Sequence, residues 1–361
     1  MRIDQITPLL KYGHKVSNTV LNLQKTVLNM GMASAIYAGA KEEALQVRAL
    51  DLASWDDQSS VIIYHMFRGS NAAQIVMESK ARQKLMYYHH IIPPDHFTDY
   101  QTKMYHQKGR EQLKFLKDYI DLVITNFKYN ERDLNELGYE RVMVLPPLIN
   151  LAEYNREPNA HLLKMYRDDH VNILFVGRIS PTNRQEDIIN VFNYYHKRIN
   201  PKSRLFLVGD YWGQIGYFRQ LLALIDELQV RNVFITGRVS FTQLLAYYQV
   251  AHVFLSMSEY NGSCTSLIEA MHFQVPVIAY DCGAVAEALG EAGQLIYDKD
   301  IRETARLVNL LVTDKQKRKE ILSRQAQRVA DYHPDRVFSA YKEALNNHAY
   351  IQIERGSTGE A

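Results

Sequence analysis

Short apolar runs alternate with longer amphipathic stretches along almost the whole chain, and that alternation is the first guide to its architecture. In the first 150 residues Val61-Ile-Ile-Tyr64, Leu85-Met-Tyr-Tyr88, Leu122-Val-Ile-Thr125 and Val142-Met-Val-Leu145 read as buried strands, and residues 15–30, 70–80, 100–119 and 128–137 as helices. Pro146-Pro147 stops the last strand, and the polar stretch from Glu153 to Asp169 reads as an interdomain linker. A second series follows, with Ile173–Val176, Leu205–Val208, Val233–Ile235, Val253–Leu255 and Val275–Ala279 as strands separated by helical segments. Strands that alternate with helices form parallel sheets covered on both faces. Two such series predict two Rossmann-like α/β domains facing a central cleft, with ligand at the carboxyl ends of the strands. The expected division is 1–152 for the first domain, 153–169 for the linker and 170–332 for the second. Within 333–361, a helix over Pro334–Asn347 returns to the first domain and a disordered tail spans Gly356–Ala361.

Composition narrows the function classes. The 361 residues carry a net charge of +2, which argues against a dedicated nucleic-acid binder. No apolar run approaches the roughly 20 residues that span a bilayer, and Met1-Arg-Ile-Asp4 opens no signal-peptide core. The expected location is the cytoplasm, including the inner face of its membrane. Two cysteines, Cys264 and Cys282, make neither a disulfide framework nor a zinc set.

The most informative segment is Ser258-Glu-Tyr-Asn-Gly-Ser-Cys-Thr-Ser-Leu-Ile-Glu-Ala-Met271. A strand ends there in a turn of small polar residues that opens a helix at about Thr265. Backbone N–H groups at the positive end of a helix dipole bind phosphate or diphosphate. Glu269, one turn inside, reaches a ribose attached to that diphosphate. Ser266-Leu-Ile-Glu269 also fits a capping box, in which Glu269 only satisfies backbone donors.

Elsewhere the chain carries motifs that resemble a known family. Ile173-Leu-Phe-Val-Gly-Arg-Ile-Ser-Pro181, Leu207-Val-Gly209, Ile235-Thr-Gly-Arg-Val239 and Glu269-Ala-Met271 with Val275-Pro-Val277 follow one another as in the C-terminal domain of retaining GT-B glycosyltransferases. Gly13-His-Lys-Val-Ser-Asn18, Tyr88-His-His-Ile-Ile-Pro-Pro94 and Asp121-Leu-Val-Ile-Thr-Asn126 match in the N-terminal half. The likeness covers essentially the whole chain and is nearest to bacterial surface-polysaccharide mannosyltransferases.

The resemblance implies a metal-independent enzyme that moves a hexose, mannose from GDP-mannose, onto a saccharide or lipid-linked saccharide acceptor in surface-glycan assembly. Beyond this nucleotide-sugar co-substrate it implies no cofactor. Arg178, after Gly177, is placed to hold the leaving diphosphate, with Arg184 as a second cation. His89 lies beside the donor sugar. The backbone of Ser263, Cys264, Thr265 and Ser266 receives the diphosphate, Glu269 the ribose, and Gly237, Arg238 and Val239 the nucleotide base. Gly13 and Ser17 mark a loop where backbone comes close to diphosphate and acceptor.

The chain departs from the family at Asn261, where a glutamate is usual, at Asn183, where a lysine is usual, and at Ser17, where glycine is frequent. Asn261 is assigned to orienting the sugar. Asn183 and Asn261 also support a second reading, a weak or inactive homologue that binds a glycan or a partner glycosyltransferase. Lys103, Arg110, Lys114 and Lys117 share one helical face in 100–120, a candidate peripheral contact with anionic headgroups or a lipid-diphosphate acceptor.

Overall fold

The computed structural model describes residues 1–97 and 99–347, and the expected tail at Gly356–Ala361 lies outside them. The chain divides into two compact units, Met1–Asn150 together with the chain from Tyr332, and Leu151–Asp331.

The first unit runs β1 (Ile3–Thr7), α1 (Lys15–Asn29), β2 (Ile36–Ala38), β3 (Leu50–Asp51), β4 (Val61–Met66), α2 (Ala72–Glu78), β5 (Gln83–Tyr88), α3 (Tyr100–Leu116), β6 (Leu122–Thr125), α4 (Lys128–Glu136) and β7 (Val142–Val144). All seven strands are parallel, in the order β3-β2-β1-β4-β5-β6-β7. Alternate residues serve two cores. Ile3, Ile63, Leu85, Tyr87 and Ile124 pack with Leu23 and Val27 of α1, while Ile6, Ile62, Tyr64, Met86 and Val123 pack with α2 and α3. Burial on both faces is why these strands read as continuous apolar runs.

The central strand β1 escapes that reading because it carries buried polar residues. Asp4 accepts hydrogen bonds from the Ala35 amide at 2.7 Å and the Ser59 hydroxyl at 2.6 Å, and pairs with Arg2 at 2.6 Å. Each oxygen of the buried Asp4 carboxylate therefore has its partner, as burial requires.

The second unit contains α5 (Ala160–Tyr166), β8 (Val171–Val176), α6 (Gln185–Arg198), β9 (Ser203–Val208), α7 (Ile215–Glu227), β10 (Val233–Gly237), α8 (Phe241–Val250), β11 (Val253–Ser256), α9 (Thr265–His272), β12 (Val277–Tyr280), α10 (Val285–Leu289), β13 (Gln294–Ile296), α11 (Ile301–Thr313) and α12 (Lys315–Val329). Its sheet is also parallel, in the order β10-β9-β8-β11-β12-β13.

The stretch 153–169 is not a linker. A 3-10 turn at Leu151–Asn155 leads to α5, which Asn159 caps by accepting from the Leu162 amide at 2.9 Å. Tyr166 then packs its ring on Phe206 at 4.7 Å. The segment reads as polar because most of its residues lie on the exposed side, and a few aromatic anchors hold it to the second unit.

A last helix, α13 (Pro334–Leu345), groups with the first unit. Its Val337, Tyr341 and Leu345 enter the core beneath Ile3 and Leu85. Tyr341 donates to the Pro146 carbonyl at 3.0 Å and shares a 2.6 Å hydrogen bond with the Tyr87 hydroxyl. Among the described residues no helix is long and apolar enough to cross a membrane.

Candidate active site

The strand order of the second unit turns outward on both sides of β8 and β11, with β9 and β10 on one side and β12 and β13 on the other. At such a reversal the loops leaving the two central strands diverge and open a crevice at their carboxyl ends. The residues after β8 and those after β11 are the ones in which the sequence placed the phosphate chemistry.

These two loops are tied together. The Glu259 amide donates to the Thr182 carbonyl at 2.9 Å, and the Ser258 hydroxyl to Asn183 Oδ1 at 3.0 Å. Asn183 Nδ2 donates to the Arg178 carbonyl at 2.7 Å, as does Gln185 Nε2 at 2.7 Å. Asn183 thus works with both ends of its amide to hold the Arg178 turn, a role that a lysine, with no acceptor, cannot fill. Arg178 itself is exposed at the tip of the turn. Close backbone packing supports it, since a Cβ on Gly209 would lie 1.9 Å from the Gly177 carbonyl oxygen. Gly237 ends β10 with φ +67° and accepts from the Gly209 amide at 3.2 Å, with Arg238 exposed and Val239 half-buried beyond it.

After β11, Asn261 Oδ1 accepts from the Cys264 amide at 2.9 Å, so its carbonyl oxygen braces the turn. That bond also takes up the Cys264 amide, which sequence reasoning had offered to diphosphate. Cys264 is buried in the left-handed region at φ 49° and forms the N-cap of α9, which has no side-chain cap. Thr265 and Ser266 begin the helix, half-buried beside Ser263. An uncapped helix start keeps its positive dipole end and first amides for an anion.

Glu269 is not part of a capping box. Its Oε1 accepts from the Tyr154 hydroxyl and its Oε2 from the Tyr248 hydroxyl, each at 2.6 Å. Burial raises the Glu269 carboxyl above its ordinary value, and the two hydroxyls oppose that shift. Sequence reasoning missed both tyrosines. Tyr154 stands in the presumed linker and Tyr248 in the apolar helix α8, where aromatic residues normally mark core.

Arg184, expected as a second cation for the diphosphate, is committed elsewhere. It pairs with Glu186 at 3.0 Å, Asp187 at 3.2 Å and Glu259 at 3.4 Å. Lys299 joins the cluster, 2.8 Å from Asp187 and 2.6 Å from Glu259. The left-handed backbone of Arg184 at φ 51° and these carboxylates direct its guanidinium along the start of α6.

In the first unit the strand order reverses between β1 and β4. Gly13, exposed at φ +68°, belongs to the loop after β1. Ser17 is fully buried and its hydroxyl accepts from the Lys11 amide at 2.9 Å, so that side chain shapes the loop rather than facing a ligand. His89 follows β5 and stacks on Tyr87, with ring centroids 4.4 Å apart. Its Nε2 lies 2.9 Å from His65 Nδ1, and His65 Nε2 lies 2.8 Å from Gln5 Oε1. Burial, then the neighbouring His65, His14 and Lys15, holds the His89 pKa well below the ordinary histidine range. His65 and Gln5, linked to His89 in this way, carry no sequence signal, since an isolated histidine within an apolar strand reads as core.

The basic face of α3 is partly neutralised. Arg110 turns inward to Asp133 at 2.8 Å, and Lys103 pairs with Asp95 at 3.3 Å. Among the described residues one group has metal-ligand spacing, Asp168, Asp169 and His170. Its carboxylates are held by Arg204 and Lys202, each at 2.5 Å.

Residues 166–329, nearly all of the second unit, match the family described as glycosyl transferases group 1. The fold resembles Anabaena HepE, solved in complex with UDP-glucose, at a TM-score of 0.78 and 18% identity over 96% of this chain and 100% of that one. The class so defined is a GT-B fold of two Rossmann-like α/β domains, the second of which is similar to group 1 glycosyl transferases over residues 166–329. Among individual proteins, the chain is 26% identical over 200 residues to the amylovoran biosynthesis glycosyltransferase AmsD of Erwinia amylovora, 53% of this chain and 54% of that protein. It is 25% identical over 178 residues to the capsular polysaccharide biosynthesis glycosyltransferase CapH of Staphylococcus aureus, 49% of this chain and 48% of that protein. The match spans about half the length of each relative.

Proposed function

We propose that the protein is a retaining glycosyltransferase of surface-polysaccharide assembly, taking a hexose from a nucleoside diphosphate sugar to a hydroxyl of a saccharide or lipid-linked saccharide. The observation that carries this reading is the pair of loops after β8 and β11, bonded to each other at the strand reversal. The first presents an exposed arginine, and the second leads into an uncapped helix start with a braced carboxylate one turn into that helix.

In that reading Arg178 and the first amides of α9 take up negative charge as the glycosidic bond to the diphosphate breaks. The acceptor hydroxyl forms its new C–O bond on the face that the diphosphate leaves, and its proton passes to the departing phosphate oxygen. No protein base is then required. Glu269 accepts from the ribose hydroxyls through the lone pairs that its tyrosines leave, and His89 hydrogen-bonds a sugar hydroxyl. A cation and helix amides supply the charge stabilisation that other transferases take from a divalent metal, so activity persists in chelator.

GDP-mannose is the donor nearest the sequence resemblance. UDP-glucose is its direct competitor, because a structural neighbour was solved with it. Incubation with a panel of GDP and UDP sugars, reading ligand-induced thermal shift and released nucleotide, tests the reading. A stabilising shift with one donor and acceptor-dependent turnover supports it. Binding without turnover favours the inactive homologue, to which the internally bonded Asn183 and Asn261 also point. Absence of both turnover and donor binding rejects the enzyme and supports an inactive subunit that binds a partner or a glycan.

A further inference from the structure

Three side chains on neighbouring strands of the first sheet form a single file of hydrogen bonds ending at His89. Gln5 on β1 and His65 on β4 are both fully buried. Gln5 Oε1 lies 2.8 Å from His65 Nε2, and His65 Nδ1 lies 2.9 Å from His89 Nε2. The rings are held flat against one another as well. Tyr87 stacks on His89 at 4.4 Å and on His65 at 5.5 Å, with interplanar angles of 12° and 17°. None of these partners forms part of the loops that the proposed reaction uses.

The direction of each bond follows from which atoms can carry a proton. With the Gln5 carbonyl oxygen turned to His65 and the amide nitrogen left without a partner, the oxygen accepts and His65 Nε2 bears hydrogen. Burial drives the His65 pKa down to about 3, so at neutral pH the ring carries one proton and its Nδ1 is a bare lone pair. His89 Nε2 therefore donates to His65. His89 is itself neutral, which leaves its Nδ1 as a lone pair, bonded to none of the described residues.

We infer that Gln5 and His65 are positioning residues that lock His89 in the Nε2-protonated tautomer, so that its Nδ1 accepts a hydrogen bond from a substrate hydroxyl. This rests on the glycosyltransferase reading for the identity of the substrate, and deepens it into a rule of selection. A hydroxyl satisfies Nδ1. A carboxylate or an acetamido carbonyl at the same place brings two lone pairs together and leaves both unsatisfied, a mismatch that discriminates strongly in a water-poor site. One amide sets the whole direction. If the Gln5 amide were turned over, its NH2 would donate to His65 and every bond in the file would reverse.

The experiment is long-range 1H–15N NMR on protein labelled at the histidine ring nitrogens, with His65 and His89 assigned from His65→Asn and His89→Asn. The expected spectrum shows both rings neutral, each with hydrogen on Nε2 and an unprotonated Nδ1. Hydrogen on Nδ1 of either ring, or an imidazolium at neutral pH, overturns the inference. Gln5→Met is the second arm. It removes the acceptor that orients His65, so the His89 tautomer should become mixed. Transfer should then slow about tenfold, the worth of one hydrogen bond. Unchanged tautomers and rate in a folded Gln5→Met protein would sink the positioning role. The spectrum is recorded without donor, so a chain that binds no nucleotide sugar defeats the functional reading while the tautomers are still decided.

Discussion

Tyr248 donates a 2.6 Å hydrogen bond to Glu269 Oε2 from a helix twenty-one residues upstream, and both groups are buried. With Tyr154 on the other oxygen, the carboxylate is fixed in rotamer and each oxygen keeps a lone pair for a ligand. Burial pushes both tyrosine hydroxyls well above their ordinary pKa, so they remain donors throughout the working pH range.

Tyr248→Phe removes one donor from a buried carboxylate. The expected cost is about 1–3 kcal/mol of stability, because the unsatisfied oxygen keeps its desolvation penalty. Urea unfolding measures it. Glu269→Gln should instead weaken nucleotide-sugar binding in calorimetry, since an amide can accept at one position only.

Gly209→Ala places a Cβ 1.9 Å from the Gly177 carbonyl oxygen, and neither strand end can give way without disturbing the Arg178 turn. A loss of more than 2 kcal/mol, or failure to fold, is the expected outcome in thermal denaturation. Gly216→Ala is the control. Its site in α7 is open, so the substitution should stabilise by roughly 0.5–1 kcal/mol through helix propensity.

Arg178 and Arg184 should separate in their effects. Arg178→Ala is expected to lower kcat/KM about 10²-fold or more. Arg184→Ala frees Glu186, Asp187 and Glu259 from their cation, so its effect should appear mainly in stability and salt dependence. Equal losses of activity in the two variants would contradict this assignment.

Acid should destabilise the first unit before it reaches the carboxylates. Burial depresses His65 to about 3 and His90 to about 4, from the ordinary value of 6.5. Between pH 6.5 and those values the unfolded chain binds more protons than the folded one. Stability from these neutral histidines is therefore complete above pH 6.5 and is lost as pH falls toward about 3. Each histidine contributes a slope of up to about 1.4 kcal/mol per pH unit. Unfolding free energies measured across that window for the wild type and His65→Asn should differ in slope by up to one proton.

The order of strands and helices was legible because both sheets are parallel and covered. Their strands Ile173–Val176 and Leu205–Val208 had to be apolar on both faces, and the intervening helices amphipathic. The turn from Ser258 to Glu269 was legible too, since small residues before a helix have few other uses. Strand β1 was not, because Asp4 and Gln5 interrupt its apolar run and become acceptable only when Arg2, Ser59 and His65 arrive from elsewhere in the chain. The segment 153–169 failed for a related reason, its few aromatic anchors being outnumbered by exposed polar residues.

Local pattern alone thus determined the two α/β domains and the turn that opens α9, since periodicity and turn chemistry act over a few residues. Tertiary structure decided the assignment of individual side chains. It turned Arg184 toward carboxylates, made Asn183 and Asn261 braces of their loops, and joined Tyr154 and Tyr248 to Glu269 and Gln5 to His65. Those outcomes depend on which distant donors and acceptors burial brings within 3 Å of one another, and short-range sequence spacing carries no such information.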